Sequence, residues 1–418
     1  KRNNGLRMTM INQESAAATL DEDRAQDKDD ETGHFQSGRV VMVTGAHALH
    51  DTYTAFLPSI LPILISKWSL SKTEAGLLSV FQQSPSLLQP VIGWLADSVS
   101  LRFIVILAPA VTTTLMSLIG ISPSYLIAAL LLVIIGFSSA SLHATVPVII
   151  GKLSGKNLGK GMSYWMVGGE LGRTLGPIII VTTIHWFGIE GTPWLLTLGL
   201  LTSLILFLRL RDLPDMRSTK KNQVSWRPVL ASMKGIMLPL FAIIAFNTFL
   251  LSAFSVFLPT YLTETGTNLW VAGASLSVME AAGVAGALFG GSISDRLGRR
   301  NTRTMSSCIA PIMAAGFILT SGWIQIITLL GLGFTAFSIM PVMMAIVQEN
   351  FPDNRSFANG VYMALSFVSR SIGIVVIGMI GDLFNLRTAI LLSAAVMLLA
   401  VPITRLLPRS NGVNGVKE

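Results

Sequence analysis

Residues Gly291 to Arg300 read GSISDRLGRR and follow directly on a long apolar run; a worn copy, GWLADSVSLR, occupies Gly93 to Arg102. In each copy a glycine stands four positions before an aspartate, Gly291 with Asp295 and Gly93 with Asp97. The two glycines are 198 residues apart, close to half of the 418-residue chain. A repeat of this length, each copy set between apolar runs, points to a membrane bundle built as two related halves.

Working outward, about 20 apolar residues cross a bilayer as a helix, and the chain holds twelve such stretches. Their cores are 40–66, 74–96, 103–121, 124–150, 161–186 and 190–208, then 235–262, 270–293, 304–321, 324–348, 357–380 and 387–407. Turn residues separate them, as in Ser122-Pro123-Ser124 and Thr265-Gly266-Thr267. Further matches follow the same offset: Phe56-Leu57-Pro58 with Phe257-Leu258-Pro259, Leu78-Ser79-Val80 with Leu276-Ser277-Val278, and Gly136 with Gly333. The fold expected is an all-α integral membrane protein, with twelve transmembrane helices in two six-helix pseudo-symmetric halves.

Composition excludes a soluble protein. Charged residues make up 12% of the chain and hydrophobic ones 51%, with a mean hydropathy of +0.63, whereas soluble domains carry about 25% charged residues. The net charge of +8 does not form a continuous stripe of the kind nucleic acid would need. It falls in short loops between apolar runs, where it sets membrane orientation. One cysteine, Cys308, allows no intramolecular disulfide and is not a metal site by itself.

Alternate loops differ sharply in basic content. One side holds Arg102, Lys152, Lys156 and Lys160, a cluster from Arg209 to Arg227, then Arg296, Arg299, Arg300, Arg303 and Arg355; the other offers little beyond Lys67, Lys72 and Arg387. The positive-inside rule makes the first side cytoplasmic, together with both termini. The expected organisation is a disordered acidic tail over 1–38, a six-helix half over 39–208 and a basic linker over 209–232. A second six-helix half over 233–408 and a short tail over 409–418 complete it.

The motif has a physical reading. Gly291 permits close helix contact and Gly298 a turn with positive φ. Asp295 can sit against a neighbouring helix N-terminus, while Arg296, Arg299 and Arg300 hold the loop in the cytoplasm and can pair with acids across helices. In the first half Gly93, Asp97 and Arg102 keep part of the pattern. Together these residues form a breakable cytoplasmic gate.

The chain here resembles the major facilitator superfamily, whose cytoplasmic signature has the form G-x-x-x-D-R-x-G-R-R. Within it the first half is similar to fosmidomycin-resistance-type efflux proteins, through His50-Asp51-Thr52-Tyr53, Ser86-Leu87-Leu88-Gln89-Pro90-Val91-Ile92-Gly93, Val167-Gly168-Gly169 and Leu175-Gly176-Pro177. The resemblance implies secondary transport in the bacterial inner membrane, with export as its direction. The sequence alone fits uptake of an organic anion equally. Glu170 and Arg173 depart from the pattern, charging a fifth-helix stretch expected to be mostly uncharged.

Ionisable groups inside spans are costly and usually face a cavity. Asp51 lies about 16 Å in from the cytoplasmic end of the first span, counting ~1.5 Å per residue. Glu170, Glu280 and Arg370 fall at similar depth, on helices that the resemblance would place around a central cavity. Asp51, Glu170 and Glu280 are therefore the proton-coupling candidates. Arg173, Arg370, His47, His143, Tyr53 and Gln83 are the candidates for binding substrate. Glu170 and Arg173 are three apart and can pair.

No nucleophile-base pair, metal-ligand spacing or Gly-Lys-Ser/Thr phosphate loop emerges, so neither an enzyme nor an ATPase is expected. No cofactor is expected either, and a proton gradient is the expected energy source. The partners expected are the lipid bilayer, protons and a small anionic or amphiphilic substrate, with no nucleic acid, and the protein is expected to be a monomer. A non-transporting receptor on the same fold would have no need of the mid-depth charges.

Overall fold

A computed structural model describes residues 34–89, 101–210, 226–351 and 355–406. Every regular element among them is helical. Among the described residues nine segments are long and apolar enough to cross a membrane, and Phe103–Ile119 is a shorter apolar helix. One of the nine, Tyr125–Phe187, has 63 residues, which as one rod would measure about 95 Å, some three bilayer cores. It is broken at Gly155, where φ is 50°, into two helices of 30 residues each.

The first span is split into α1 (Ser37–Thr54) and α2 (Leu57–Trp68). Pro58 explains the break. It has no N–H to return to Thr54, four residues back, so that carbonyl would be orphaned in a medium without water. Gln82 of α3 (Lys72–Gln83) fills the gap, its Nε2 donating to the Thr54 carbonyl at 2.9 Å. The equivalent Pro259 in the repeat lies inside an unbroken helix, so the two segments have diverged here.

Next come α4 (Leu101–Ile119), α5 (Tyr125–Ser154), α6 (Leu158–Phe187) and α7 (Leu196–Leu210). The later segment contains α8 (Trp226–Glu264), α9 (Leu269–Leu297), α10 (Arg299–Leu319), α11 (Trp323–Phe337) and α12 (Ile339–Asn350). It ends with α13 (Arg355–Leu383), α14 (Leu386–Met397) and α15 (Ala400–Ile403). Two boundaries differ from the sequence expectation. Helix α1 begins inside the range assigned to the tail, and α8 begins inside the range assigned to the linker, because the basic residues there are compatible with a helix that has left the bilayer.

Lipid is the solvent of the outer surface. On α5, Leu126, Leu130, Ile134 and Phe137 form one exposed stripe at helical spacing, while Leu132 and Ile135 are fully buried. Apolar residues on both faces suit a helix with lipid outside and protein inside. Trp186, Phe187, Trp194, Trp323 and Phe384 are strongly exposed and lie at the end that carries few basic residues, the position of an aromatic belt.

Helices α1 and α6 lie unusually close. A Cβ on Gly168 would meet the Thr44 carbonyl at 2.8 Å, and those on Gly172 and Gly176 would meet the carbonyls of Ala48 and Thr52. Glycine every fourth residue presents one bare face, into which the α1 backbone settles. This contact fixes where the α1 side chains stand relative to α6.

At the motif, Gly298 has φ 85° and separates α9 from α10. Gly291 has no neighbour within 4 Å of an added Cβ, so it does not make the close contact expected of it; Gly290 does, 2.8 Å from the Ser338 carbonyl. Asp295 pairs with Arg299 at 2.5 Å rather than capping a neighbouring helix, and Arg299 bridges on to Glu349 at 2.9 Å. Gly93 and Asp97 of the worn copy lie outside the described residues, as does the side chain of Arg102. Arg303, counted with the loop, is instead fully buried in α10, one Nη reaching the Ile243 carbonyl at 3.4 Å.

The polar contacts between the segments before Leu210 and after Trp226 have a common location among the described residues. Asp382 of α13 accepts from the backbone N–H groups of Lys72 and Thr73 at 2.6 and 2.9 Å and from the Thr73 hydroxyl at 2.6 Å. Lys72 also pairs with Glu264 at 3.1 Å. Trp270 donates to Thr182 at 3.1 Å, and Ile178 N–H to the Ser277 hydroxyl at 3.1 Å. All lie from mid-depth towards the belt end. The carboxylate of Asp382 is well placed there, because a helix N-terminus has free N–H groups and a positive dipole end.

Candidate functional site

Three side chains from two helices meet at mid-depth in the first segment. His47 and Asp51 share one face of α1, at the i and i+4 positions, and each is 3% exposed. His143 comes from α5. The His47 Nε2 is 3.3 Å from the His143 Nε2 and 3.4 Å from Asp51 Oδ2, and the His143 Nε2 is 3.6 Å from Asp51 Oδ1.

Backbone carbonyls settle which imidazole nitrogens carry protons. His47 Nδ1 lies 3.0 Å from the Trp165 carbonyl and His143 Nδ1 lies 2.9 Å from the Ser139 carbonyl. A carbonyl only accepts, so both Nδ1 atoms donate. In the neutral rings both Nε2 atoms then hold lone pairs, pointed at each other and at a carboxylate. Three acceptors then converge, an arrangement satisfied by a proton on either Nε2 or by a metal cation among them. The Trp165 ring stacks on His47 at 5.0 Å and holds its plane. Gly169 makes room for the cluster: a Cβ there would stand 2.7 Å from His47 and 3.0 Å from Asp51.

One helical turn further, Glu170 and Arg173 form an ion pair along α6, Arg173 remaining 41% exposed towards the space between the segments. Across that space stand Glu280 of α9 and Arg370 of α13. Glu280 is half-buried and makes no hydrogen bond or ion pair with the described residues, yet Arg173, Glu170 and Arg370 all act on it electrostatically. Arg370 donates to the Ser255 hydroxyl at 3.2 Å while its buried Nε has no partner among the described residues. The second segment thus presents an open carboxylate and an incompletely satisfied guanidinium to the Glu170–Arg173 pair of the first.

Two expected pocket residues stand elsewhere. Tyr53 is fully buried against Phe56, and its hydroxyl donates to the Leu195 carbonyl at 2.5 Å. Gln83 is half-buried at the end of α3, beside the Gln82 that repairs the first span. Sequence reasoning missed Ser255 and the Trp165 and Ser139 carbonyls. A carbonyl partner leaves no mark in a sequence. An open groove lined by Ser66, Lys67, Glu190 and Thr263 lies at the belt end, away from the mid-depth charges.

An all-helical, multi-pass membrane protein with charges buried between two packed segments has the construction of a transporter. The chain belongs to the Major Facilitator Superfamily, whose family model matches residues 43–373. It is 24% identical over 344 residues to the fosmidomycin resistance protein of Escherichia coli (strain K12), covering 81% of this chain and 84% of that one. It is also 24% identical over 378 residues to the uncharacterized MFS-type transporter YfnC of Bacillus subtilis (strain 168), covering 87% and 91%. Among solved structures, an inward-facing, occupied bacterial homolog of the human lysosomal transporter Spinster matches with a TM-score of 0.76. The identity is 15%, over 89% of this chain and 97% of that one. The protein is therefore a membrane transporter of this superfamily.

Proposed function

We propose that the protein is a proton-coupled antiporter of the bacterial inner membrane that exports a small anionic or amphiphilic compound. It works by alternating access between two six-helix halves, 39–208 and 233–408, joined by the 209–232 linker, with both termini in the cytoplasm. The observation that carries the reading is Glu280, a carboxylate at mid-depth with no ion pair among the described residues, within electrostatic range of Arg173 on one segment and Arg370 on the other. A half-buried carboxylate without a fixed partner can gain and lose a proton as its surroundings change.

In this mechanism Arg370 and the exposed edge of Arg173 attract the anionic end of the compound, while deprotonated Glu280 accepts a hydrogen bond from a donor group on it. Protonation of Glu280 removes that acceptor and discharges the compound, so proton and substrate exclude each other, as antiport requires. The inter-segment bonds towards the belt end describe a form closed on that side, which must open for release. Likeness to the fosmidomycin resistance protein supports export.

The test uses inside-out proteoliposomes with an imposed pH gradient and radiolabelled fosmidomycin as the first probe. Accumulation inside the vesicles that collapses with a protonophore is the expected result. Accumulation unaffected by the protonophore would rule out proton coupling, and movement only in the opposite sense would favour uptake.

A further inference from the structure

We propose that His47, His143 and Asp51 form a binding site for a divalent transition-metal ion of the zinc class, with one coordination position open to the space between the segments. The three residues bring one ligand atom each to within 4.8 Å of one another. Their separations carry more information than their proximity. A tetrahedral ion with ligands at ~2.0–2.1 Å places those atoms about 3.3 Å apart. The two Nε2 atoms are 3.3 Å apart, and each faces its own oxygen of Asp51, Oδ2 at 3.4 Å from His47 and Oδ1 at 3.6 Å from His143. An ion held by both rings therefore meets both oxygens, or one after a small turn of the carboxylate.

The orientation of the rings is the second, independent observation. Each histidine uses its Nδ1 proton on a backbone carbonyl, Trp165 for His47 and Ser139 for His143. Metal-ligating histidines are held in this way, because the outer hydrogen bond fixes the tautomer and turns the other lone pair to the ion. Here both Nε2 lone pairs converge on the carboxylate. Two imidazoles and a carboxylate suit a borderline ion such as zinc, cobalt or nickel better than magnesium or calcium, which demand oxygen donors.

The fourth position is accessible. His47 and Asp51 are buried, whereas 28% of the His143 side chain remains exposed. Three protein ligands and an open fourth place distinguish a site that takes an exchangeable ligand from a closed structural one. Water would fill that place at rest, and an oxygen donor on a transported compound could replace it. One positive charge is left over after Asp51 is counted, so the compound would be anionic, matching Arg173 close by. Metal binding is a property of the resting protein and does not depend on the export reading.

The experiment titrates cobalt(II), then zinc(II), into purified full-length protein in detergent after chelator treatment. Wild type should bind one cobalt ion per chain, with the intense visible d–d bands of tetrahedral coordination, and zinc should displace it. His47→Ala, His143→Ala and Asp51→Asn should each weaken binding about tenfold or more, while His185→Ala, a histidine away from the cluster, should not. His143→Cys offers a second check: it keeps a metal ligand and should restore binding with a sulfur-to-cobalt charge-transfer band, separating ligand loss from misfolding. Absence of stoichiometric binding in wild type, or binding indifferent to the three substitutions, would overturn the assignment. Loss of proton-driven export with metal binding intact would count against the proposed function alone.

Discussion

The charged groups of the two segments are partnered to very different degrees. In the first, Glu170 is tied to Arg173, and Asp51 faces two histidines that are themselves fixed by carbonyls. In the second, Glu280 has no ion pair among the described residues and Arg370 has one serine contact with its Nε unsatisfied. A charge held on several sides keeps a geometry. One left open responds to what arrives. The first segment therefore reads as a prepared receptor and the second as the responsive side of the cavity.

The strongest way to break this comparison is to neutralise one carboxylate on each side. Glu280→Gln should reduce proton-driven accumulation to the level of protein-free vesicles while leaving substrate exchange without a gradient. Glu170→Gln should keep driven accumulation measurable and tighten binding of an anionic probe, because Arg173 is freed. Matching losses in both variants would erase the distinction.

A second test addresses how the receptor side is held. Gly172→Val should drive a side chain into the Ala48 carbonyl and cost about 1–3 kcal/mol, lowering the unfolding temperature in detergent. Gly291→Val, where an added carbon meets nothing within 4 Å, should leave it nearly unchanged. A smaller effect is expected at the closed end. Asp382→Ala removes three solvent-exposed bonds that water and salt screen, and spin labels across that end should show the open form enriched about twofold to fivefold. Unaltered label distances would mean that Asp382 does not hold the closure.

The smallest difference concerns the motif. Asp295→Asn should slow turnover more than Asp97→Asn, since Arg299 binds Asp295 and Glu349 together. Equal losses would show that the intact copy has no special weight.

Much of the architecture is legible in the chain because a bilayer punishes irregularity. Apolar runs and the charges interrupting them stand out, so Asp51, Glu170, Glu280 and Arg370 can be singled out from the sequence alone. The repeat around Gly291 and Asp295 indicates the superfamily. Convergence is not legible. His47 and His143 are 96 residues apart, so no spacing rule for metal ligands could join them. Asp382 escapes notice for another reason: its partners are backbone N–H groups at a helix start, which every sequence contains. Arg303 is misleading because its basic neighbours suggest a loop, whereas the helix has already begun at Arg299.

The break at Pro58 has a mechanical consequence. The first span is two short rods with a joint between them, α1 keyed into the glycine face of α6 and α2 packed against α8 of the other segment. A stiff helix would transmit a tilt of its upper end straight to its lower end. Here the connection at Ala55 and Phe56 lacks one rung of its ladder, and the freed Thr54 carbonyl is held sideways by Gln82. The upper rod can follow its neighbour as that side opens, and the lower rod, with His47 and Asp51, stays in register with α6.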